Sequence, residues 1–143
     1  MTVKAILAGK GREVIYIDPA ASLFEAVRLL AKNRIGATLV LGAGRRIVGI
    51  LSERDVVRAL AERGPAVLEE PVSQLMTRNV STCNESETVS KIMERMTDGK
   101  FRHVPVVDQG RLVGIVSIGD VVKHRLQQME RESAAMRDYI LTA

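Results

Sequence analysis

Two short motifs in the chain repeat the same residue types at the same spacing. Ser52 and Asp55 in "SERD", and Ser117 and Asp120 in "SIGD", each place an acidic residue three positions after a serine. Either copy alone is explained by a capping box, in which serine and carboxylate satisfy the free N–H groups of a helix start. A helix N-terminus also attracts phosphate, and a carboxylate one turn into the helix can accept both hydrogen bonds of a ribose diol. Capping and sugar binding are compatible roles, and both are predicted.

The residues around the two motifs differ in charge. Arg54 lies inside the first motif, whereas Arg102 and His103 stand in the strand region before the second. Gly36 and Ala37 hold the corresponding places in the first copy, where they leave room and backbone hydrogen bonds for a purine ring. Two unequal binding clefts are therefore predicted. The alternative is a solvated surface charge for each arginine and a half-buried strand side chain for His103.

The elements that must position these motifs also occur twice. The segments "IGATLVL" (35–41) and "RRIVGIL" (45–51) reappear as "FRHVPVV" (101–107) and "GRLVGIV" (110–116), each pair forming a predicted hairpin. Apolar stripes at helical spacing precede the hairpins, at residues 23, 26, 27 and 30 and again at residues 89, 92, 93 and 96. Each repeat is thus predicted as strand, helix, strand, strand, helix, after a short leading helix.

The repeats define the predicted domain boundaries. Residues 1–66 form the first repeat with its leading helix, residues 67–126 the second repeat, and residues 127–143 a C-terminal helical extension. Neither repeat can cover both faces of its own three-stranded sheet. The fold class is therefore predicted as α+β, with two repeats packed sheet to sheet around a pseudo-two-fold axis and paired clefts between them.

Composition narrows the class of partner. The net charge of +4 admits an anionic partner, but aromatic residues make up only 3% and tryptophan is absent, which disfavours a single-strand nucleic-acid binder. No apolar run is long enough to span a bilayer, and a cytoplasmic protein without a membrane partner is predicted. The single cysteine, Cys83, is predicted to be a buried apolar thiol.

The sequence resembles a tandem pair of CBS (cystathionine β-synthase) domains, often called a Bateman module. The resemblance is carried by "GILSERDVVRAL", "FRHVPVVDQGRLVGIVSIGDVVK" and "VSQLMTRNVSTCNESETV" and covers almost the whole chain. It implies an adenosine nucleotide between the repeats, with the aspartates on ribose and with Arg102 and His103 near phosphate. The predicted nucleotide-binding residues are Gly36, Ala37, Ser52, Arg54, Asp55, Thr82, Arg102, His103, Ser117 and Asp120.

The predicted function is a regulatory sensor that binds AMP, ADP, ATP or NAD and signals through its conformation to a separate, unidentified effector protein. The sequence ranks none of these ligands, nor S-adenosylmethionine. No catalytic residue, metal ligand or catalytic cofactor is predicted, because neither motif serine has an identifiable base and the two histidines lack ligand spacing. The alternatives are a basic nucleic-acid-binding module and a purely structural dimerisation module.

A heptad-like seam follows the second motif. Val122, Leu126, Met129, Ser133, Met136 and Ile140 are spaced four, three, four, three and four residues apart. The seam predicts either a contact between two chains or packing over a neighbouring lobe of the same chain. A homodimer is the preferred prediction.

Overall fold

The computed structural model describes residues 1–142. In the first repeat the helices and strands follow the predicted order, whereas in the second repeat the leading helix is replaced by a 3-10 turn at Val72–Gln74 and the first strand by an isolated bridge at Cys83. The helices and strands are α1 (Val3–Lys10), β1 (Tyr16–Ile17), α2 (Leu23–Asn33), β2 (Ala37–Leu41), β3 (Ile47–Ser52), α3 (Glu53–Arg63), α4 (Val89–Gly99), β4 (His103–Asp108), β5 (Arg111–Ser117) and α5 (Ile118–Thr142), with 3-10 turns at Ala43–Arg45, Pro65–Glu69 and Val72–Gln74.

The two repeats form two small sheets of unequal size. In the first repeat β1 runs parallel to β2, which pairs antiparallel with β3. In the second repeat β4 pairs antiparallel with β5, and the place of a third strand is taken by one parallel bridge between Cys83 and Val106. The predicted α+β class with two repeats is confirmed, and the first strand of the second repeat is shortened to that bridge.

The amphipathic helices bury the predicted stripes. Ser22 caps α2 by accepting a hydrogen bond from the Glu25 N–H at 3.1 Å. Thr88 caps α4 in the same way, accepting from the Lys91 N–H at 3.2 Å. The side chains that these helices bury are Leu23, Ala26 and Leu30 in α2 and Val89, Ile92 and Met96 in α4. Each stripe lies in the core of its own repeat.

The leading segments, in contrast, pack in the core of the opposite repeat. Val3, Ile6 and Leu7 of α1 are buried among the apolar side chains of the second repeat. Val72 is buried in the first repeat, and Met76 packs against the same core. The predicted boundary between residues 66 and 67 therefore follows the order of the chain, whereas the packing exchanges one segment between the two halves.

Two glycines allow the exchanged segments to approach the sheets. A Cβ atom on Gly49 in β3 would lie 2.5 Å from the Met76 sulfur and 2.9 Å from the Thr77 carbonyl oxygen. A Cβ atom on Gly114 in β5 would lie 2.7 Å from a methyl carbon of Leu7. Gly49 and Gly114 each precede a motif serine by three residues, and their physical role is close packing between the halves.

The last helix is longer than the other helices and projects away from both repeats. α5 contains 25 residues, of which Val121 is buried in the second core, and every residue from 129 to 142 is exposed. The alternative in which the tail packs over a neighbouring lobe does not match this arrangement. None of the helices within residues 1–142 is both long enough and apolar enough to cross a bilayer.

Candidate functional site

A cleft of about 760 Å³ lies between the two repeats, which is a typical size for a small-molecule site. We call it the Asp55 cleft. The first repeat contributes Gly36, Ala37, Ile50 and residues 52–55, and the second contributes Thr77, residues 79–81 and residues 99–103. Seven of the ten predicted nucleotide-binding residues line it. These are Gly36, Ala37, Ser52, Arg54, Asp55, Arg102 and His103.

The junction of β3 and α3 positions Asp55. Its Oδ2 atom accepts hydrogen bonds from the Ser52 N–H at 3.0 Å and from the Ser52 hydroxyl at 3.1 Å, while the Asp55 N–H donates to the Ser52 oxygen at 3.2 Å. The predicted capping box is thus formed, and Asp55 is only 7% exposed. Its Oδ1 atom has longer contacts, 3.4 Å to the Thr77 hydroxyl and 3.6 Å to an Arg58 nitrogen. Oδ1 therefore keeps the capacity to accept a strong hydrogen bond.

Cationic side chains of both repeats line the same cleft. Arg54 belongs to the first repeat, and Lys100 and Arg102 belong to the second. Their three positive charges outnumber the two carboxylates of the lining, those of Glu53 and Asp55. The cleft can therefore hold an anionic group as well as a diol at Asp55.

His103 adds a neutral polar group to this lining at neutral pH. Burial lowers its pKa, the charges of Lys10 and Arg102 lower the pKa further, and Asp120 partly opposes them by raising it. His103 opens β4 and pairs in register with Ser117 on β5. It thus lines the Asp55 cleft while it lies next to the second motif.

The second motif lies outside the Asp55 cleft and has different surroundings. Asp120 Oδ2 accepts hydrogen bonds from the Ser117 N–H at 2.9 Å and the Ser117 hydroxyl at 3.0 Å, so the capping geometry repeats. The Lys10 ammonium donates to the same oxygen at 2.6 Å and to the Ile115 carbonyl oxygen at 2.8 Å. Lys10, Ile115, Ser117 and Asp120 form what we call the Asp120 site. Its carboxylate is already paired with a cation of the chain itself.

The pKa of Asp120 reflects this pairing. Burial raises the pKa, but hydrogen bonds from Lys10 and Ser117, together with the positive charge of Lys10, outweigh burial and leave the pKa below its ordinary value. The Asp120 carboxylate is therefore ionised throughout the neutral range.

Two features of the site differ from the list of predicted residues. Thr82 is not among the lining residues of the Asp55 cleft, and its carbonyl oxygen accepts a hydrogen bond from Arg95. Thr77 and Ser81 line the cleft although the sequence did not single them out. Ile50 and Thr77 exchange backbone hydrogen bonds of 2.9 and 2.8 Å, which fix this segment beside β3. The internal repeat could have identified this segment, because it corresponds in the second repeat to the loop that follows α1 in the first.

The chain matches the family model described as CBS domain twice, over residues 4–62 and 72–127. The crystal structure of a CBS-domain containing protein from Agrobacterium tumefaciens is 48% identical, with a TM-score of 0.84 over 87% of this chain and 92% of that chain. A CBS domain protein from Pyrobaculum aerophilum, solved in complex with AMP, is 30% identical, with a TM-score of 0.74 over 84% of this chain and 89% of that chain.

Two further comparisons concern ligand and length. The CBS domain pair of protein MJ0100, in complex with 5'-methylthioadenosine and S-adenosyl-L-methionine, is 30% identical, with a TM-score of 0.79 over 90% of this chain and 98% of that chain. A 17.7 kDa protein of Acidianus ambivalens is 32% identical over 78% of this chain. The chain spans 66% of the length of that relative. It is also 29% identical, over 83% of its own length, to a CBS domain-containing protein of Arabidopsis thaliana, of which it spans only 22%.

Proposed function

Because the chain belongs to the CBS domain family, we propose that it is a regulatory module that binds an adenosine nucleotide in the Asp55 cleft. One observation carries the proposal: a buried carboxylate, whose Oδ1 atom makes only long contacts, and three cationic side chains line a single cleft that both repeats build. A ribose diol suits the carboxylate, and a phosphate suits the cations. The similar structures that hold AMP, or 5'-methylthioadenosine and S-adenosyl-L-methionine, support an adenosine ligand.

Each predicted residue of the cleft takes one role in this proposal. Asp55 accepts from the ribose hydroxyls, and Ser52 holds the Asp55 carboxylate in place. Gly36 and Ala37 leave room for the adenine. The groups that meet the phosphate are Arg54, Lys100, Arg102 and His103.

The charge of the cleft ranks the adenosine ligands. AMP, ADP, ATP and NAD all bring an anionic phosphate to the three cations, whereas S-adenosylmethionine brings a sulfonium cation and 5'-methylthioadenosine brings no charge. We propose AMP-type nucleotides as the preferred class and S-adenosylmethionine as the weakest. NAD stays in the preferred class because its pyrophosphate is anionic.

Signalling follows from the position of the cleft. A nucleotide bound there contacts both repeats, so it stabilises the arrangement of the repeats that fits it best. A separate effector protein that recognises this arrangement receives the signal. The proposal also includes a homodimer, because residues 129–142 of α5 are exposed and carry apolar side chains.

Calorimetric titration of AMP tests the proposal with Asp55→Asn as the variant. Asparagine keeps an oxygen that can accept from the Ser52 N–H but loses the second acceptor, and we expect roughly tenfold weaker AMP binding. Asp108→Asn, at the exposed end of β4, is the control and should bind AMP like the native chain. A nucleotide present at about 100 times its dissociation constant should also add about 2.7 kcal/mol to the free energy of unfolding.

The same titrations separate this function from the nucleic-acid alternative. Binding to nucleic acid would weaken steeply with salt and would not depend on Asp55. Equal AMP affinity for the native chain and Asp55→Asn, or the absence of binding by any adenosine ligand, would refute the proposal.

A further inference from the structure

The C-terminal part of α5 is an ordered helix with an unpartnered apolar face. The helix begins at the second motif, is held at Val121 by the core of the second repeat, and then continues beyond the packed body of the protein. Residues 129–142 would extend it by about 21 Å. An anchored helix start removes the cost of nucleation, so this segment is preorganised to meet another helix.

The apolar residues of this segment follow a heptad. Val122, Met129 and Met136 occupy the d positions, and Leu126 and Ile140 occupy a positions. All five are exposed, by 44% at Val122, 57% at Leu126, 53% at Met129, 62% at Met136 and 67% at Ile140. An exposed apolar stripe of this length, interrupted only at Ser133, marks an interaction surface.

The charges beside the stripe indicate which partner covers it. Arg125 and Glu132 occupy g positions, and Glu130 and Arg137 occupy e positions. In a parallel pair of helices each g residue lies beside the e residue of the next heptad of its partner. Arg125 then faces Glu130 of the partner subunit, and Glu132 faces Arg137 of the partner subunit. Both contacts join opposite charges, so the face is complementary to a second copy of itself.

We propose that residues 122–140 of two copies form a parallel, in-register, two-stranded coiled coil. The proposal deepens the homodimer of the proposed function, since it assigns the surface and the relative direction of the two chains. Ser133 occupies the central a position between Leu126 and Ile140. A small polar residue there lowers the stability of the coil but favours the register in which the two Ser133 side chains face each other.

Disulfide trapping tests the register directly. In Ser133→Cys the two new thiols should face each other, and mild oxidation of the full-length chain should give a covalent dimer on a non-reducing gel. Arg131→Cys is the matched control, because residue 131 lies at the outward f position two residues away and should stay unlinked. The native Cys83 does not interfere, since burial raises its pKa to about 11 and keeps the thiol protonated.

Charge reversal tests the orientation independently. Glu132→Arg would place two arginines side by side at both symmetric contacts, and we expect the dimer to dissociate roughly tenfold more readily. Adding Arg137→Glu in the same chain should restore the native dissociation constant, as measured by analytical ultracentrifugation. AMP titration of the same samples reports the nucleotide site separately.

Three outcomes would overturn the inference. A monomeric native chain at about 100 μM would remove the homodimer itself while leaving AMP binding untouched. A native dimer in which Ser133→Cys stays unlinked would place the interface elsewhere or in another register. A double charge variant that stays as weak as Glu132→Arg would rule out the parallel orientation.

Discussion

Replacing Lys10 by methionine should show whether the Lys10–Asp120 ion pair makes the second Ser-x-x-Asp motif bind a sugar less well than the first. The Lys10 ammonium donates a hydrogen bond of 2.6 Å to the Asp120 carboxylate. In the first motif the corresponding carboxylate, that of Asp55, is proposed to bind ribose. Lys10→Met keeps an unbranched stem of similar length but removes the donor to both Asp120 and Ile115. A riboside that enters the Asp120 site must displace Lys10 in the native chain and need not do so in the variant.

The structure sets the size of the effect. The Lys10 side chain is 32% exposed and the Asp120 side chain 23% exposed, so solvent screens the pair incompletely. Exposed ion pairs contribute about 0–1 kcal/mol and hydrogen bonds to charged groups about 1.5–3 kcal/mol, which places this pair near 1 kcal/mol after discounting for exposure. We expect Lys10→Met to lose about this much stability and to bind neutral adenosine at the Asp120 site about fivefold more tightly.

The pH dependence of stability provides a second readout. Asp120 has a lowered pKa in the folded chain, so the stability that it contributes is present above its unfolded value of 3.8 and is lost as the pH falls through the folded value. The difference in stability between the native chain and Lys10→Met should be full at neutral pH and should close on acidification below about 3.8.

Calorimetric titration of adenosine in an Asp55→Asn background isolates the Asp120 site. Arg12→Met is the matched control, because Arg12 lies only two residues after Lys10 but pairs with Glu85. Tighter adenosine binding in Lys10→Met alone is the expected result. Weaker binding would mean that Lys10 contacts the ligand rather than competing with it, and unchanged binding would mean that Asp120 meets no ribose.

Three further predictions concern the cleft and the exchanged segments. The folded-state pKa of His103 lies below 6.5, so the unfolded chain binds more protons and the free energy of unfolding should fall as the pH drops below that value. Urea melts of His103→Gln should show a smaller loss of this free energy between pH 7.5 and 5.5 than the native chain shows. Lys100 lies in the left-handed region with φ 56°, and Lys100→Gly should therefore stabilise the chain by about 1 kcal/mol in thermal melts while weakening AMP binding in calorimetry. Gly49→Ala should lower the free energy of unfolding by about 1–3 kcal/mol in urea melts, because the new methyl group meets a backbone oxygen. Gly114→Ala should lower it less, because its methyl group meets the end of the Leu7 side chain, and equal losses would contradict this explanation.

The sequence predicted the elements because their signals are local. The stripe at Leu23, Ala26 and Leu30 and the two Ser-x-x-Asp motifs depend only on neighbours within a few residues, and the structure confirms the helices that they predicted. Internal duplication supplied the long-range information that a single sequence normally lacks. It allowed the two-repeat α+β fold to be predicted without any alignment.

The sequence did not predict contacts that break the symmetry. Lys10 is the last residue of α1 and precedes a loop with no counterpart of equal length in the second repeat, so the alignment of the repeats could not place it on Asp120. Gly49 and Gly114 lie against the leading segment of the other half. The direction of that segment depends on the tertiary arrangement rather than on any local pattern. The first strand of the second repeat is a single bridge at Cys83, which the sequence pattern did not predict.

Each half of the protein holds a segment of the other half in its core: α1 packs in the second half, and residues 72–76 pack in the first. If either half were made as a separate polypeptide, the apolar side chains of its leading segment would be exposed to water. Its own core would lack the segment that the other half supplies. Two separate halves would therefore have to exchange these segments with each other, and their association would weaken on dilution. Within one chain the same exchange is intramolecular and takes place at every concentration.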